Sequence, residues 1–482
     1  MSILSLEFLV FAAAVTLLYY CLPLKIRWMV LLAGSVAYMA LAGWQSVAHL
    51  TAVALEMWGG GLLLQKKKSK LLLALLMILD LGSMVFLKYW PALSGAALIL
   101  PLGLSYFTFQ SAGYLIDVYR GKAEAQKNPL KAWLFIGYFP QLAQGPISTW
   151  KELGGQLLTG QRFEPENLVS GFTLLLWGYF KKMVIADRLA KTTDSLLTGS
   201  ELPGWFILGG VILYTIRLYM DFSGGMDVIR GLSRGIGIEL PENFRRPFFA
   251  QSVSEYWRRW HITLGAWFRS YLLYPLTTSR VGIGLGKIAS KAFGKKTGRM
   301  VPSALATLLV FLLIGVWHAA NWNAVIYGAY FGLVMAASML LEPIWKTLRT
   351  TLNLPKSGWM TPLRLIRTWL LILLAQYFAF TLHPGMGWGL LADTFKTWDF
   401  SGFAAQTTAV MEPLEWIIAG AGCLITLVID LLCEKKTDVC GNLAKTRFCI
   451  RWPVLLLLLL AIVTFGVYGS GYDSAAFLYT QF

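Results

Sequence analysis

The sequence predicts an all-α, polytopic integral membrane protein, and three observations carry that reading. The chain has 482 residues, of which 56% are hydrophobic and only 14% charged, with a mean hydropathy of +0.59. A chain so apolar is insoluble as a water-exposed globule. Continuous apolar runs close to the ~20 residues needed to cross ~30 Å of hydrocarbon recur about a dozen times. These runs lack the alternation of barrel strands, and a spanning segment must satisfy its own backbone groups, so they are helices.

In chain order the expected spans are 6–24, 28–42, 47–64, 71–87, 98–118, 168–185, 205–220, 301–320, 324–341, 369–382, 417–432 and 452–468. The first is followed by no small-residue cleavage site and leads at once into further spans, so it reads as a retained helix and not a signal peptide. With no internal repeat and no long linker, residues 1–482 read as one integrated membrane domain.

The net charge of +17 falls in short loops at 25–27, 66–70, 120–131, 217–259, 280–299, 346–367 and 435–451. Charge dispersed in this way argues against a nucleic-acid-binding surface. The positive-inside rule places these loops in the cytoplasm, both termini outside, and the more acidic 383–415 stretch outside as well. The count closes if residues 132–150, broken at Phe139-Pro140-Gln141 and Gln144-Gly145-Pro146, enter from the cytoplasm and return as a re-entrant element buried by protein.

Five cysteines, Cys21, Cys423, Cys433, Cys440 and Cys449, show no C-x-x-C spacing. Reduced structural thiols are the expectation, with no metal site.

Ionisable side chains inside apolar spans are costly and therefore informative. His318 closes the run that ends Ile314-Gly315-Val316-Trp317-His318. It is either a helix-terminal imidazole capping a carbonyl or a general base, with Asn321 placed to hold one ring nitrogen and fix the tautomer. Gly328 and Gly332 on the next helix form a small-xxx-small pair that permits close helix approach.

Residues 245–275 contain Ser252 and Glu255 in capping-box spacing, then Trp257, Trp260, Leu264, Trp267, Phe268 and Tyr271 on one helical face, with Arg258 and Arg259 to the side. That predicts an interfacial amphipathic helix. His261 falls toward its apolar side, either as a core histidine or as a group aimed into a cavity. His49 and His383 read as interfacial or locally hydrogen-bonded. Glu56, Asp80 and Asp430, in or at the ends of spans, are either paired with buried cations or belong to a proton route.

Two motifs are discounted. Gly231-Leu232-Ser233-Arg234-Gly235 matches G-x-S-x-G, but a nucleophile elbow needs a sheet, so a chance match in a basic loop is expected. Gly282-Ile283-Gly284-Leu285-Gly286-Lys287 lacks the spacing of a phosphate-binding loop and reads as a flexible cytoplasmic connector.

Six ordered stretches resemble the membrane-bound O-acyltransferase (MBOAT) superfamily. They are SLEFL from Ser5, LGLSYFTFQSAGYLIDVYRG from Leu102, YFPQLAQGPI from Tyr138, YMDFSGGMDVIRGLSRGIGIELPENFRRPF from Tyr219, SEYWRRWHITLGAWFRSYLLYPL from Ser254 and GVWHAANWNAVIYGAYFGL from Gly315. They are most similar to the bacterial branch of alginate O-acetylation and teichoic-acid D-alanyl transfer, and the terminal GYDSAAFLYTQF is similar to the alginate-type ending.

The resemblance implies an MBOAT fold and an O-acyltransferase. It makes His318 the presumed catalytic base and His261 a second active-site residue. Asn321, Asn323, Trp317, Trp257, Arg258 and Arg259 become candidates for substrate contact, with Asn323 or backbone amides at the oxyanion. It also implies no tightly bound cofactor and an acyl-CoA or carrier-protein thioester as donor on the cytoplasmic side. The basic residues Arg245, Arg246, Arg258 and Arg259 would receive the donor's phosphates. The acceptor would be a cell-surface polysaccharide or a partner transferase, and the location the bacterial plasma membrane.

Three positions depart from the family pattern: Ala319 where Trp-His is usually followed by glycine, Ser270 where Arg-Asp-Tyr is usual, and Gly225 where Phe-Ser-Gly-Tyr is usual. None removes a histidine. Transfer of a short acyl group, acetyl first, is therefore the expected activity, with D-alanyl transfer to teichoic acid as the alternative. A non-catalytic transporter or flippase of a lipid-linked intermediate is the rival from another class.

Overall fold

The computed structural model of the chain describes residues 1–95, 98–199, 201–352, 360–435 and 437–468; the terminal GYDSAAFLYTQF lies outside them. The first helices are α1 (Leu6–Cys21), α2 (Arg27–Leu41), α3 (Trp44–Lys66), α4 (Lys70–Ser94), α5 (Leu104–Tyr119), α6 (Pro129–Gly137), α7 (Phe139–Gln144), α8 (Trp150–Thr159) and α9 (Pro165–Tyr179). There follow α10 (Asp187–Thr198), α11 (Gly204–Gly235), α12 (Val253–Arg259), α13 (Ile262–Phe268), α14 (Tyr274–Thr278), α15 (Arg280–Gly298), α16 (Val301–His318) and α17 (Trp322–Thr351). The last are α18 (Thr361–Gln376), α19 (Pro384–Asp393), α20 (Phe403–Val410), α21 (Pro413–Glu434), α22 (Val439–Lys445) and α23 (Phe448–Phe465). Among the described residues there is no strand.

Each expected span overlies a helix, but among the described residues nine helical segments are long and apolar enough to cross a membrane. The other three expected spans overlie α1, α5 and α18, helices of 16 residues each. At 1.5 Å per residue such a helix reaches about 24 Å, short of ~30 Å of hydrocarbon. The apolar run outlasts the helix in each case. At α5, Gly103 in the left-handed region (φ 71°) starts the helix only at Leu104.

Large apolar side chains lie exposed along these helices, including Leu71, Leu75, Ile78 and Leu79 of α4 and Leu456, Leu457, Leu460 and Val463 of α23. Lipid is the solvent that tolerates them. This is a multi-pass membrane protein.

Contacts divide the chain into two compact units. The first comprises Met1–Arg188, Leu218–Asn243 and the described part of Ile417–Gln481; the second is built of Leu189–Arg217 and Phe244–Trp416. Neither unit is continuous in sequence, so no linker or shift in composition marks them.

In the first unit, residues 132–142 form the two short helices α6 and α7, fully buried and joined at Tyr138. The π-helical stretch Phe180–Ala186, with i→i+5 hydrogen bonding, joins α9 to α10 and carries buried charge. Lys182 Nζ lies 2.7 Å from Asp187 and 2.5 Å from Asp221, and Lys181 Nζ lies 2.7 Å from Asp227. Arg230 closes on the same Asp227 at 3.3 Å. Opposite charges brought together offset the cost of burying each. At Gly225 a Cβ would stand 2.2 Å from Gln144 Oε1, so the loss of a side chain here makes room for Gln144.

Two expectations are corrected. The G-x-S-x-G match lies inside α11 and not in a loop; Ser233 is fully buried and its Oγ accepts from Tyr138 Oη at 3.2 Å. The glycine-rich 282–287 stretch is part of helix α15, capped by Ser279, and not a flexible connector. Glycine every second residue lowers helix propensity, but Gly282 is buried against the Leu276 and Thr277 carbonyls, a packing gain that propensity does not register.

Candidate active site

The residues singled out around the two histidines all belong to the second unit. Ser252 begins α12 by accepting from Glu255 N at 3.1 Å, while Glu255 Oε2 accepts from Gln251 N at 2.9 Å. The amphipathic helix expected across 252–271 then breaks. His261 adopts φ 46°, ψ 53° as the N-terminal cap of α13, a left-handed conformation uncommon outside glycine and asparagine. Strain of this kind persists only where surrounding structure enforces it. The break, and not helical periodicity, orients the imidazole.

The ring of His261 is buried, with 2% of its surface exposed, and its centroid lies 6.3 Å from that of Trp317. His318, half-buried at the end of α16, lies 4.6 Å from the same indole. Burial holds the His261 pKa well below the ordinary histidine value, and the charge of His318 lowers it further. His261 is therefore neutral at physiological pH and offers one ring N–H and one lone pair.

Aromatic packing fixes the frame. Trp257 meets Phe311 and Phe331 edge-on at 5.1 and 5.0 Å, and Tyr256 stacks on Trp260 at 5.5 Å. Trp369 donates from Nε1 to the Phe248 carbonyl at 3.0 Å. The pair α16 and α17 approach through backbone: a Cβ on Gly315 would stand 2.3 Å from the Ala324 oxygen, and one on Gly328 2.4 Å from the Phe311 oxygen. Gly328 was legible as half of a small-residue pair. Gly315 was missed, although it lies one turn before His318 and fixes where that residue emerges.

The two asparagines serve local structure. Asn321 Oδ1 accepts from Ala324 N at 2.8 Å and caps α17, so that oxygen is engaged at the helix N-terminus instead of on the His318 ring. Buried Asn323 donates from Nδ2 to the Thr381 carbonyl at 2.5 Å and to Thr381 Oγ1 at 3.2 Å. Its amide donor is thus engaged by Thr381. Arg259 is held by Glu255 at 2.7 Å, whereas Arg258 is exposed and reaches Ser254 Oγ at 3.0 Å. His383 caps α19, its Nδ1 accepting from Met386 N at 3.2 Å. Among the described residues no disulfide joins the five cysteines.

Residues 126–290 match the model of MBOAT, the membrane-bound O-acyltransferase family. The chain carries an MBOAT domain. The matched stretch includes Trp257, Arg258, Arg259 and His261 and ends before α16 and His318. The chain is 31% identical over 306 residues to the probable alginate O-acetylase AlgI of Azotobacter vinelandii, covering 63% of this chain and 55% of that protein. It is 31% identical over 269 residues to the peptidoglycan O-acetyltransferase of Helicobacter pylori, covering 50% and 47%. It is 28% identical over 293 residues to the teichoic acid D-alanyltransferase of Bacillus subtilis, covering 58% and 70%. The chain spans about half the length of the alginate relatives it matches. The three are named for O-acetylation of alginate, O-acetyl transfer to peptidoglycan and D-alanyl transfer to teichoic acid.

Proposed function

We propose that this MBOAT protein transfers a short acyl group, acetyl first, from a cytoplasmic thioester across the bacterial plasma membrane to hydroxyls of a cell-surface polysaccharide. One observation supports it above the others: two histidines far apart in sequence both lie beside Trp317, and the charge of one acts on the other.

In this reading His318 takes the proton from the acceptor hydroxyl as its oxygen attacks the thioester carbonyl. The C–S bond then breaks, and the proton passes to the departing thiolate. General-base help of this kind contributes about 10² to 10⁴ in rate. His261, neutral and buried, positions the reacting groups through a hydrogen bond, with Trp317 and Trp257 walling the path. Exposed Arg258, with Arg245 and Arg246, receives the phosphates of coenzyme A or of a carrier protein's phosphopantetheine arm, and Arg259 is steadied by Glu255. No tightly bound cofactor is required.

The deciding experiment replaces His318 by Ala and by Gln and measures base-labile acetate on envelope polymer. Loss of acetate in both strains, at unchanged protein level in the membrane, is the expected result, since Gln hydrogen-bonds but does not take the proton. Full acylation in the His318→Ala strain refutes the assignment. Loss of D-alanine with acetate unchanged moves the protein to teichoic-acid D-alanylation, the reading favoured by the Bacillus subtilis relative.

A further inference from the structure

The helices α3, α4 and α5 of the first unit bring together polar groups that the acyl-transfer reading does not use. Among the described residues, Ser46 Oγ, His49 Nε2 and Glu56 Oε1 on α3 and Tyr106 Oη and Thr108 Oγ1 on α5 are buried without a hydrogen-bond partner, and the Asp80 carboxyl on α4 has nothing nearer to it than the Ser111 hydroxyl on α5. Asp80, Thr108 and Ser111 are fully buried. Buried polar atoms are nearly always satisfied, so such a concentration calls for an explanation.

Helix register places three of these groups at one level. A Cβ on Gly60 would touch Leu76 Cδ1 at 2.7 Å and Leu115 Cδ2 at 3.3 Å, which fixes the mutual height of the three helices. The short turn between α3 and α4 makes these two antiparallel. One helical turn further from that turn lie Glu56, four residues before Gly60, Asp80, four after Leu76, and Ser111, four before Leu115. The side-chain electrostatics agree: the Ser111 hydroxyl faces the Asp80 carboxyl, and Glu56 is the charge that acts on it. Glu56 and Asp80 both stand near the middle of their apolar helices, Trp44–Lys66 and Lys70–Ser94.

No cation balances them. Neither carboxyl takes part in an ion pair among the described residues. The nearest other titratable groups on α3 and α4 stand away from that level: His49 is two turns from Glu56 on α3, and Lys88 is two turns, about 12 Å, from Asp80 on α4, with Lys66, Lys70 and Tyr89 further off. On α5, Tyr106 lies more than one turn before Ser111, and Tyr114 lies beside Gly61, one turn toward the cytoplasmic-side loop. A fully buried carboxyl at Asp80 beside a half-buried one at Glu56, with no cation at their level among the described residues, does not ionise together with its neighbour.

We propose that Glu56 and Asp80 form a proton-binding site within the membrane, a carboxyl pair that retains at least one proton at neutral pH, with Ser111 supplying a hydroxyl to it. The proposal does not depend on the acyl-transfer reading.

The full-length protein in detergent, treated with dicyclohexylcarbodiimide at neutral pH, tests it. This reagent takes the proton of a carboxylic acid on nitrogen while the carboxylate oxygen bonds its central carbon, so only a protonated carboxyl in an apolar setting reacts. The expected result is an adduct on Asp80 or Glu56 by peptide mass spectrometry, absent in the Glu56→Gln, Asp80→Asn double variant. The infrared band of a protonated carboxyl should also disappear in Asp80→Asn. The single variant Asp80→Asn should keep the wild-type unfolding midpoint or raise it, because the amide has the shape of the neutral acid. A midpoint lowered by several degrees shows that a charged carboxylate is required, and overturns the proposal. So do the absence of both adduct and infrared band, and protection from the reagent by sodium ions, which would make the site one for a metal cation.

Discussion

Replacing Gly315 by alanine tests the packing that presents His318. The added Cβ would stand 2.3 Å from the Ala324 carbonyl oxygen and 3.1 Å from Gly328 Cα. Both neighbours are backbone, so no side chain can rotate away, and α16 and α17 must separate or slide. Overpacking of this kind costs about 1–3 kcal/mol, which lowers the unfolding midpoint by several degrees. The same shift moves His318, one turn further along α16, relative to Trp317 and His261. A displacement near 1 Å at reacting groups costs roughly 10²-fold in rate. The control is Gly209→Ala on α11, where nothing lies within 4 Å of the new methyl; helix propensity alone predicts a gain of up to about 1 kcal/mol there. Thermal unfolding of the two purified variants, with acetate measured on envelope polymer from the same strains, compares them directly. A Gly315→Ala protein with wild-type midpoint and wild-type acylation would refute the reasoning.

Three further outcomes are expected. His261→Gln should retain measurable acyl transfer where His318→Gln does not, because a positioning hydrogen bond survives the change and a proton acceptor does not; equal losses contradict that division of labour. Because folding lowers the His261 pKa, the unfolded chain binds the proton more readily below its ordinary value near 6.5. Stability is therefore fully present above about pH 6.5 and falls as the pH drops toward the folded value, and His261→Gln should flatten the acid side of the midpoint-against-pH curve; an unchanged curve counts against the burial argument. The charge-based topology, which puts both termini outside, predicts that Lys68→Cys resists an impermeant thiol reagent in intact cells and that Asp399→Cys reacts with it, and the opposite pattern inverts that topology.

Much of the fold was legible because the membrane restricts it so strongly. Twelve apolar runs give twelve helices, since a backbone in hydrocarbon has few other solutions, and Ser5, Ser69, Asn128 and Ser252 cap helices as short polar side chains do. Helix length was less legible at α1, α5 and α18, where apolar character continues beyond the turn that ends or delays the helix. The two histidines were legible as ionisable groups set in apolar, aromatic sequence, and the resemblance of the surrounding motifs assigned them roles.

The sequence by itself determined the class of protein, the helices and the two imidazoles, because hydropathy and the cost of burying charge are properties of the residues present. Tertiary structure decided what periodicity could not: the left-handed break that orients His261, Trp317 as the common neighbour of both rings, and the engagement of Asn321 and Asn323 in a cap and a buried tie. It also placed Glu56, Asp80 and Ser111 at one level. Each of these depends on which helix lies beside which, and that is set by contacts such as Gly315 on Ala324 and Gly60 on Leu76, between residues whose spacing along the chain carries no record of the encounter.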